Sequence, residues 1–289
     1  MASISFQPRG GAPKLVFEDP EVLVLDKPAG MHTAPGVSGE EGPEAACLAD
    51  WVYERWPDAG LVSGRGREEG GLLHRLDRET SGLVLFARTE DAFRSLDAAA
   101  RAGSFRKEYA LRARPSAAGL PGSRPDRTAP AGLAASAWEL LCGGAEPGAM
   151  PAAKDGAPGI EDFRSLLAAA RDTGRPVFVE SLFRPYGPGA ARVACAAPGA
   201  DLGKSRDAWG SVLYRTDILS AALGDGALDL GVALTRGFRH QIRAHLAWIG
   251  LPLEGDELYG GAAGERLALH ARALEFPHPR TGIPVRVEA

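Results

Sequence analysis

Cysteine is scarce in this chain of 289 residues: Cys47, Cys142 and Cys195 are three in number, far apart, and contain no Cys-x-x-Cys pair. An odd and scattered set excludes a disulfide framework and suits buried or incidental thiols in a reducing cytoplasm. Long apolar runs are missing too, since no stretch of about 18 apolar residues offers a membrane-spanning helix. The first thirty residues carry Arg9, Lys14, Glu18 and Asp19 where a secretory signal needs its apolar centre. A cytoplasmic protein with no membrane partner is therefore expected. Positive charge is not in excess either, because 33 basic and 37 acidic side chains give a formal charge of −4 and a pI near 5.9. That excludes a protein coated in positive charge but leaves room for a local basic patch. No fixed-period repeat and no Gly-rich nucleotide loop are visible. His240 and His245 are five residues apart, not the four that place two imidazoles on one zinc-binding helix face. Neither a metal nor a small-molecule cofactor is expected.

A 45% hydrophobic content is ample for a sizeable core, in one large domain or two ordinary ones. Short strands alternate with a few helices, which reads as a mixed α+β chain. Leu83–Ala87, residues 105–113 and Ser211–Ile218 read as strands. Residues 89–102 read as a helix capped by Thr89, apolar at Phe93 and Leu96, and stopped by Gly103. Residues 115–158 are dense in Pro, Gly, Ala and Ser, the composition of an irregular insertion. A short amphipathic helix is expected after it, on Ile160, Phe163, Leu166, Leu167 and Ala170. Phe183–Gly189 reads as a turn-rich loop.

Two constellations carry chemistry. His74-Arg75-Leu76-Asp77-Arg78-Glu79-Thr80-Ser81-Gly82 feeds the buried strand Leu83–Ala87, so a polar loop is presented by a rigid scaffold. Asp77 lies between Arg75 and Arg78 in sequence, and nearby positive charge favours an ionised carboxylate, which can be a nucleophile, a base or half of a salt bridge. An exposed pair of that kind contributes only about 0 to 1 kcal/mol. Far downstream, Ile242, Leu246 and Ile249 recur at helical spacing, with Gly250 and Pro252 as the stop. Arg239, His240, Gln241 and Arg243 crowd the start of that helix, where positive charge is unfavourable unless an anion faces it. The competing reading is an amphipathic helix with a solvated basic side.

His74–Gly82, Leu234–Leu246 and Glu254-Gly255-Asp256-Glu257-Leu258-Tyr259-Gly260 resemble the signature regions of RluA-type RNA pseudouridine synthases. In the same order, Lys27-Pro28-Ala29-Gly30 is similar to the family's Lys-Pro-x-Gly turn, Lys107-Glu108-Tyr109 to its Lys-x-Tyr strand, and Leu269-His270-Ala271 with Phe276–Pro279 to its closing segment. The likeness runs from residue 15 to 285 except roughly 115–175. It departs at Gly237-Phe238-Arg239, where many members have Gly-Arg-Thr or Gly-Arg-Ser. The resemblance implies a pseudouridine synthase catalytic domain over 15–289, after a tail of residues 1–14, with the insertion at about 115–175. It further implies a central, mostly antiparallel sheet with an active-site cleft, and no N-terminal S4-like domain is expected.

What the resemblance implies about activity is the isomerisation of uridine to pseudouridine in structured rRNA or tRNA by a monomer. Asp77 would be the catalytic carboxylate, Arg243 the basic residue that orients it, and Tyr109 a face for the base and a phenol for proton handling. Arg75, Lys107, Arg239, His240 and Gln241 would meet RNA. Arg75 would fill the space left by an extruded uridine, its bland role being a salt bridge to Glu79 or Asp77. Arg101, Arg106, Lys107, Arg112 and Arg114 flank the Tyr109 strand as a possible phosphate patch or simply a charged strand edge. A hydrolytic N-glycosidase using Asp77 and Glu79 is a competing activity. From another class comes a noncatalytic RNA-binding or assembly factor that retains the fold.

Overall fold

The computed structural model describes residues 6, 10–35, 47–66, 69–116, 177–196, 202 and 207–289. The helix expected at Ile160–Ala170 and nearly all of the Pro/Gly-rich stretch lie outside these residues. The strands are β1 (Lys14–Glu18), β2 (Val22–Lys27), β3 (Ser81–Ala87), β4 (Arg106–Ala113), β5 (Val177–Tyr186), β6 (Arg192–Ala196), β7 (Tyr214–Gly224), β8 (Ala227–Leu234), β9 (Leu269–Pro277) and β10 (Pro284–Glu288). The helices are α1 (Leu48–Arg55), α2 (Pro57–Leu61), α3 (Glu90–Arg101) and α4 (Gln241–Trp248). They group into two compact units, one joining Phe6–Tyr109 to Leu269–Ala289 and the other containing Ala110–Ala268.

In the first unit the strand order is β1-β2-β3-β9-β4, with β10 on β9. Every residue of β3 is buried, because it lies between β2 and β9 and has no solvent face that would impose alternation. The β3–β9 pairing is parallel and includes Gly82 opposite Ala271. Gly82 has φ +117, and a Cβ there would stand 2.3 Å from the Ala271 carbonyl oxygen, so this approach requires glycine. Helix α3 begins as the sequence indicates, with Thr89 Oγ1 accepting from the Ala92 N–H at 3.1 Å. Its Phe93 and Leu96 pack on Leu83, Leu85 and Leu274 in the core. Helices α1 and α2 carry no matching expectation; α1 is capped by Cys47 and Asp50, an unusual cap that propensity rules do not flag.

The second unit continues from the latter half of β4 through the order β4-β8-β7-β5-β6. The pairs β5–β6, β5–β7 and β7–β8 are antiparallel, as are β1–β2, β2–β3 and β9–β10. Helix α4 rests on this sheet through Ala244 and Ala247, which meet Phe183, Val193, Cys195 and Tyr259. Two boundaries differ from expectation. The strand expected at Ser211–Ile218 runs over Tyr214–Gly224. Phe183–Tyr186 belongs to a strand rather than to a loop. Pro185 misled the reading, yet β5 pairs with β7 only over Val177–Ser181 and with β6 only over Leu182–Tyr186. Proline is tolerated in a segment paired on one side.

Candidate active site

Asp77 is half-exposed on the loop before β3, and its neighbours are fixed from behind by the turn that follows β2. Thr33 Oγ1 donates to the Leu76 carbonyl at 2.8 Å and accepts the Leu76 N–H at 3.1 Å. On the other side of Asp77, the Arg78 carbonyl accepts from the Gly30 N–H at 2.8 Å and from Lys27 Nζ at 3.1 Å. Lys27 is fully buried and also donates to the carbonyls of Pro28 and Met31. Arg78 Nε returns a bond to the Gly30 carbonyl at 3.1 Å, and the Thr80 N–H closes a turn on the Asp77 carbonyl at 3.0 Å. Thr33 thus holds the Leu76 flank of Asp77 by its backbone, and the Lys-Pro-Ala-Gly turn holds the Arg78 flank.

Arg75 donates to Glu69, not to Asp77 or Glu79 as its bland role supposed, and Arg78 stands 3.9 Å from Glu79. His74 is a buried part of the scaffold. Its Nε2 accepts the Leu85 N–H at 3.3 Å and its ring meets Phe105 edge-on. Burial, aided by the positive charges of Lys107 and Arg65, keeps its pKa well below the usual imidazole value, so the ring is neutral at physiological pH.

Tyr109 is contributed by β4 and is buried. Burial raises its phenol pKa, with the negative charge of Asp77 adding to the rise. The phenol therefore keeps its proton and is poorly suited to act as a base. Lys107, two residues earlier and on the same strand face, is half-buried above Phe105. Desolvation and then the charge of Arg65 lower its pKa to about 8. On the opposite face Glu108 is held by Arg286, Arg106 and Arg272, which bring its carboxyl down to about 2. These three residues show one strand separating a potential site face from a structural ion cluster.

The second constellation belongs to the other unit. Arg243 forms a bidentate pair with Asp256, Nε to Oδ2 at 2.8 Å and Nη2 to Oδ1 at 2.7 Å, with both side chains buried. Asp256 also accepts the Tyr259 N–H at 3.2 Å, and the Arg243 guanidinium lies 5.2 Å from the Tyr259 ring centroid. The Tyr259 hydroxyl receives the Val193 N–H at 2.9 Å and meets His240 Nδ1 at 3.1 Å. Asp256 and Tyr259 escaped the site assignment. Their signal was present in the Glu254–Gly260 segment, which supported only the resemblance.

Several of the residues expected to meet RNA have partners inside the protein. Gln241 is buried, with its amide oxygen taking the Phe238 N–H and its nitrogen donating to the Arg215 carbonyl and Thr216 Oγ1. Internal bonds from Gln241 and the pairing of Arg243 with Asp256 accompany the crowding at the helix start. His240, in the left-handed region at φ 57, is tied to Tyr259, whereas Arg239 is exposed and donates to the Ala190 carbonyl. His245 is fully buried between Ser181 and Thr216, and burial lowers its pKa to about 3. The possible phosphate patch is answered by carboxylates: Arg101 pairs with Asp97, Arg106 with Glu108, Arg114 with Glu254, and Arg112 lies among Asp225, Asp229 and Glu254. Its charged-edge reading prevails for those arginines.

The profile of the family described as RNA pseudouridylate synthase matches residues 21–139. "Ribosomal large subunit pseudouridine synthase D" of Xanthomonas campestris is 27% identical, over 95% of this chain and 65% of that protein. An "Uncharacterized RNA pseudouridine synthase" of Chloroflexus aurantiacus is 30% identical, over 89% of this chain and 59% of its own length. This chain thus spans less than two thirds of the length of these curated relatives. Among solved structures, "Human RNA Pseudouridylate Synthase Domain Containing 1" covers 98% of this chain and 86% of its own, with 17% identity and a TM-score of 0.56. That likeness bears on the fold, a mostly antiparallel α+β architecture. In its ordered motifs, its match to the family profile over residues 21–139 and these sequence relatives, the chain is similar to RNA pseudouridine synthases.

Proposed function

We propose that this protein isomerises uridine to pseudouridine in RNA, with Asp77 as the catalytic carboxylate. The observation that carries the reading is the clamp on Leu76 and Arg78, which fixes the backbone at Asp77 while leaving its carboxylate half-exposed. In the reaction the bond from ribose C1′ to N1 breaks and one from C1′ to C5 forms; C5 loses a proton and N1 gains one, with no redox change. Asp77 serves this chemistry either as a nucleophile or as a base on the sugar. Tyr109, held in its protonated form, supplies a flat face and a phenolic donor rather than a base. Arg243 stands at the family's active-site basic position, made rigid by Asp256. Lys107, Arg75, Arg239 and His240 remain candidates for RNA contact, whereas Gln241 is assigned to the scaffold.

The names of bacterial relatives favour large-subunit ribosomal RNA over transfer RNA as the substrate, in the cytoplasm. Pseudouridine mapping of RNA from cells with and without the gene identifies the target, which is then used for assay. Asp77→Asn keeps the side chain's size and removes its carboxylate, so isomerisation is expected to disappear while the fold and most RNA affinity persist. Turnover within a few-fold of the unaltered enzyme overturns the assignment of Asp77, whereas absence of isomerisation by the unaltered protein on the mapped RNA favours a noncatalytic RNA-binding role.

A further inference from the structure

The arginines of this molecule meet two kinds of neighbour. Arg65, Arg88, Arg101, Arg114 and Arg286 each have a carboxylate within salt-bridge reach. Arg184 and Arg192 have none among the described residues; both instead lie beside aromatic rings. The β5–β6 register sets Tyr186 opposite Arg192 and Arg184 opposite Ala194, so Arg184, Tyr186 and Arg192 share one sheet face. Phe183, Val193 and Cys195 take the opposite, core-facing side.

Along the outer face, cation and ring alternate. The Arg192 guanidinium is 5.5 Å from the Tyr186 centroid, Arg184 is 5.9 Å from the same centroid, and Arg184 is 5.0 Å from the Trp209 ring. All four residues are partly exposed. Two guanidinium groups flanking one phenol repel each other, and neither has a carboxylate within salt-bridge reach among the described residues. Arg184 Nε and Trp209 Nε1 are themselves buried and have no hydrogen-bond partner among the described residues. This face therefore offers positive charge and flat apolar rings together.

We propose that the Arg184–Tyr186–Arg192–Trp209 face binds unpaired nucleotides of an RNA substrate, with guanidinium groups meeting phosphates and rings stacking on bases. An acidic peptide would answer the cations but not engage the rings in the same way, whereas single-stranded nucleic acid supplies both anion and π-face. The choice of RNA rests on the proposed pseudouridine synthase activity. This surface is distinct from the corrected arginine patch at β4, where neighbouring carboxylates already neutralise the charge.

The test titrates the full chain with a ten-nucleotide oligouridylate and with an abasic ribose-phosphate oligomer of the same length, following tryptophan fluorescence and affinity over a salt series. Oligouridylate is expected to quench fluorescence, with most of the quenching lost in Trp209→Phe. Arg184→Gln/Arg192→Gln should weaken oligouridylate binding by about ten-fold or more and reduce the salt slope by about 1.4, as loss of two single-strand phosphate contacts requires. Tyr186→Ala should weaken oligouridylate more than the abasic oligomer. Thermal unfolding of each variant and an Arg184→Lys/Arg192→Lys protein, which retains charge, separate local binding loss from misfolding. Unchanged oligouridylate affinity and salt slope in a folded double-Gln variant overturn the proposal, as does equal binding of the two oligomers without quenching. Pseudouridine formation is measured separately on mapped RNA. Activity with platform-independent oligouridylate binding rejects this surface alone; platform-dependent binding without isomerisation rejects the enzymatic reading alone.

Discussion

The loop bearing Asp77 and the helix bearing Arg243 hold charged residues by different means. The first uses the Thr33 hydroxyl, the Gly30 N–H and the Lys27 ammonium to grip the backbone at Leu76 and Arg78. Asp77 itself stays half-exposed. The second grips a side chain directly, through two charge-assisted bonds from Arg243 to buried Asp256. A backbone clamp fixes the position from which a half-exposed carboxylate is presented. A buried bidentate pair fixes a guanidinium but makes each partner costly to remove, because the remaining charge is stranded in a poorly solvated place.

The largest effect expected from this contrast is on stability. Arg243→Met or Asp256→Asn should each cost about 3 to 5 kcal/mol, measured by urea unfolding, with the double substitution costing less than the sum. If Arg243 also contributes to turnover, its single-turnover rate at saturating RNA should fall further than that of Asp256→Asn under conditions where both proteins remain folded. Equal rate losses would assign Arg243 to scaffold support alone. Additive stability losses would break the comparison at its base, since the pair would then not be coupled.

A smaller loss is expected from the backbone clamp. Thr33→Val preserves shape but leaves the buried Leu76 N–H and carbonyl without the hydroxyl, a change worth about 1 to 3 kcal/mol. Turnover should fall because the loop loses a fixed position, and Thr33→Ser should restore both stability and rate. A destabilised Thr33→Val protein with an unchanged single-turnover rate would show that the position of Asp77 does not depend on this clamp.

Long apolar patterns made much of this architecture readable before the fold was known. β3 is a continuous buried run, and α3 begins at Thr89 and stops before Gly103. Asp77 stood out because a polar, charged loop enters that strand. The reading failed where partners are distant in sequence. Nothing local tells that Asp256 will face Arg243, that Gln241 will turn inward to Arg215 and Thr216, or that Arg112 will meet Glu254. Pro185 disguised part of β5 because sequence alone does not reveal which strand edge has a partner. Local pattern found β3, β4, α3, α4 and part of β7, whereas the assignment of charged and polar side chains depended on tertiary pairing.

The smallest expected effect compares Arg243 with Lys107, a partly buried cation that has no carboxylate within salt-bridge reach among the described residues. Desolvation and Arg65 lower the Lys107 pKa from 10.5 to about 8. Between those values the unfolded chain binds a proton that the native chain has largely released, so this residue makes stability rise with pH through that window. Below pH 8 both states are protonated, and the native state carries the desolvated ammonium at a cost. Lys107→Met should therefore raise stability modestly at pH 7 and flatten the increase between pH 8 and 10.5. Glu108 on the opposite strand face acts with the other sign: Arg286 and its neighbours lower its carboxyl to about 2, so its contribution is present above pH 4.5 and lost as pH falls toward 2. Urea midpoints of unaltered, Lys107→Met and Glu108→Gln proteins across both windows test the pair. An alkaline slope unchanged by Lys107→Met would show that Lys107 ionises as an ordinary surface lysine, erasing the distinction between an uncompensated cation beside Tyr109 and a compensated one at Arg243.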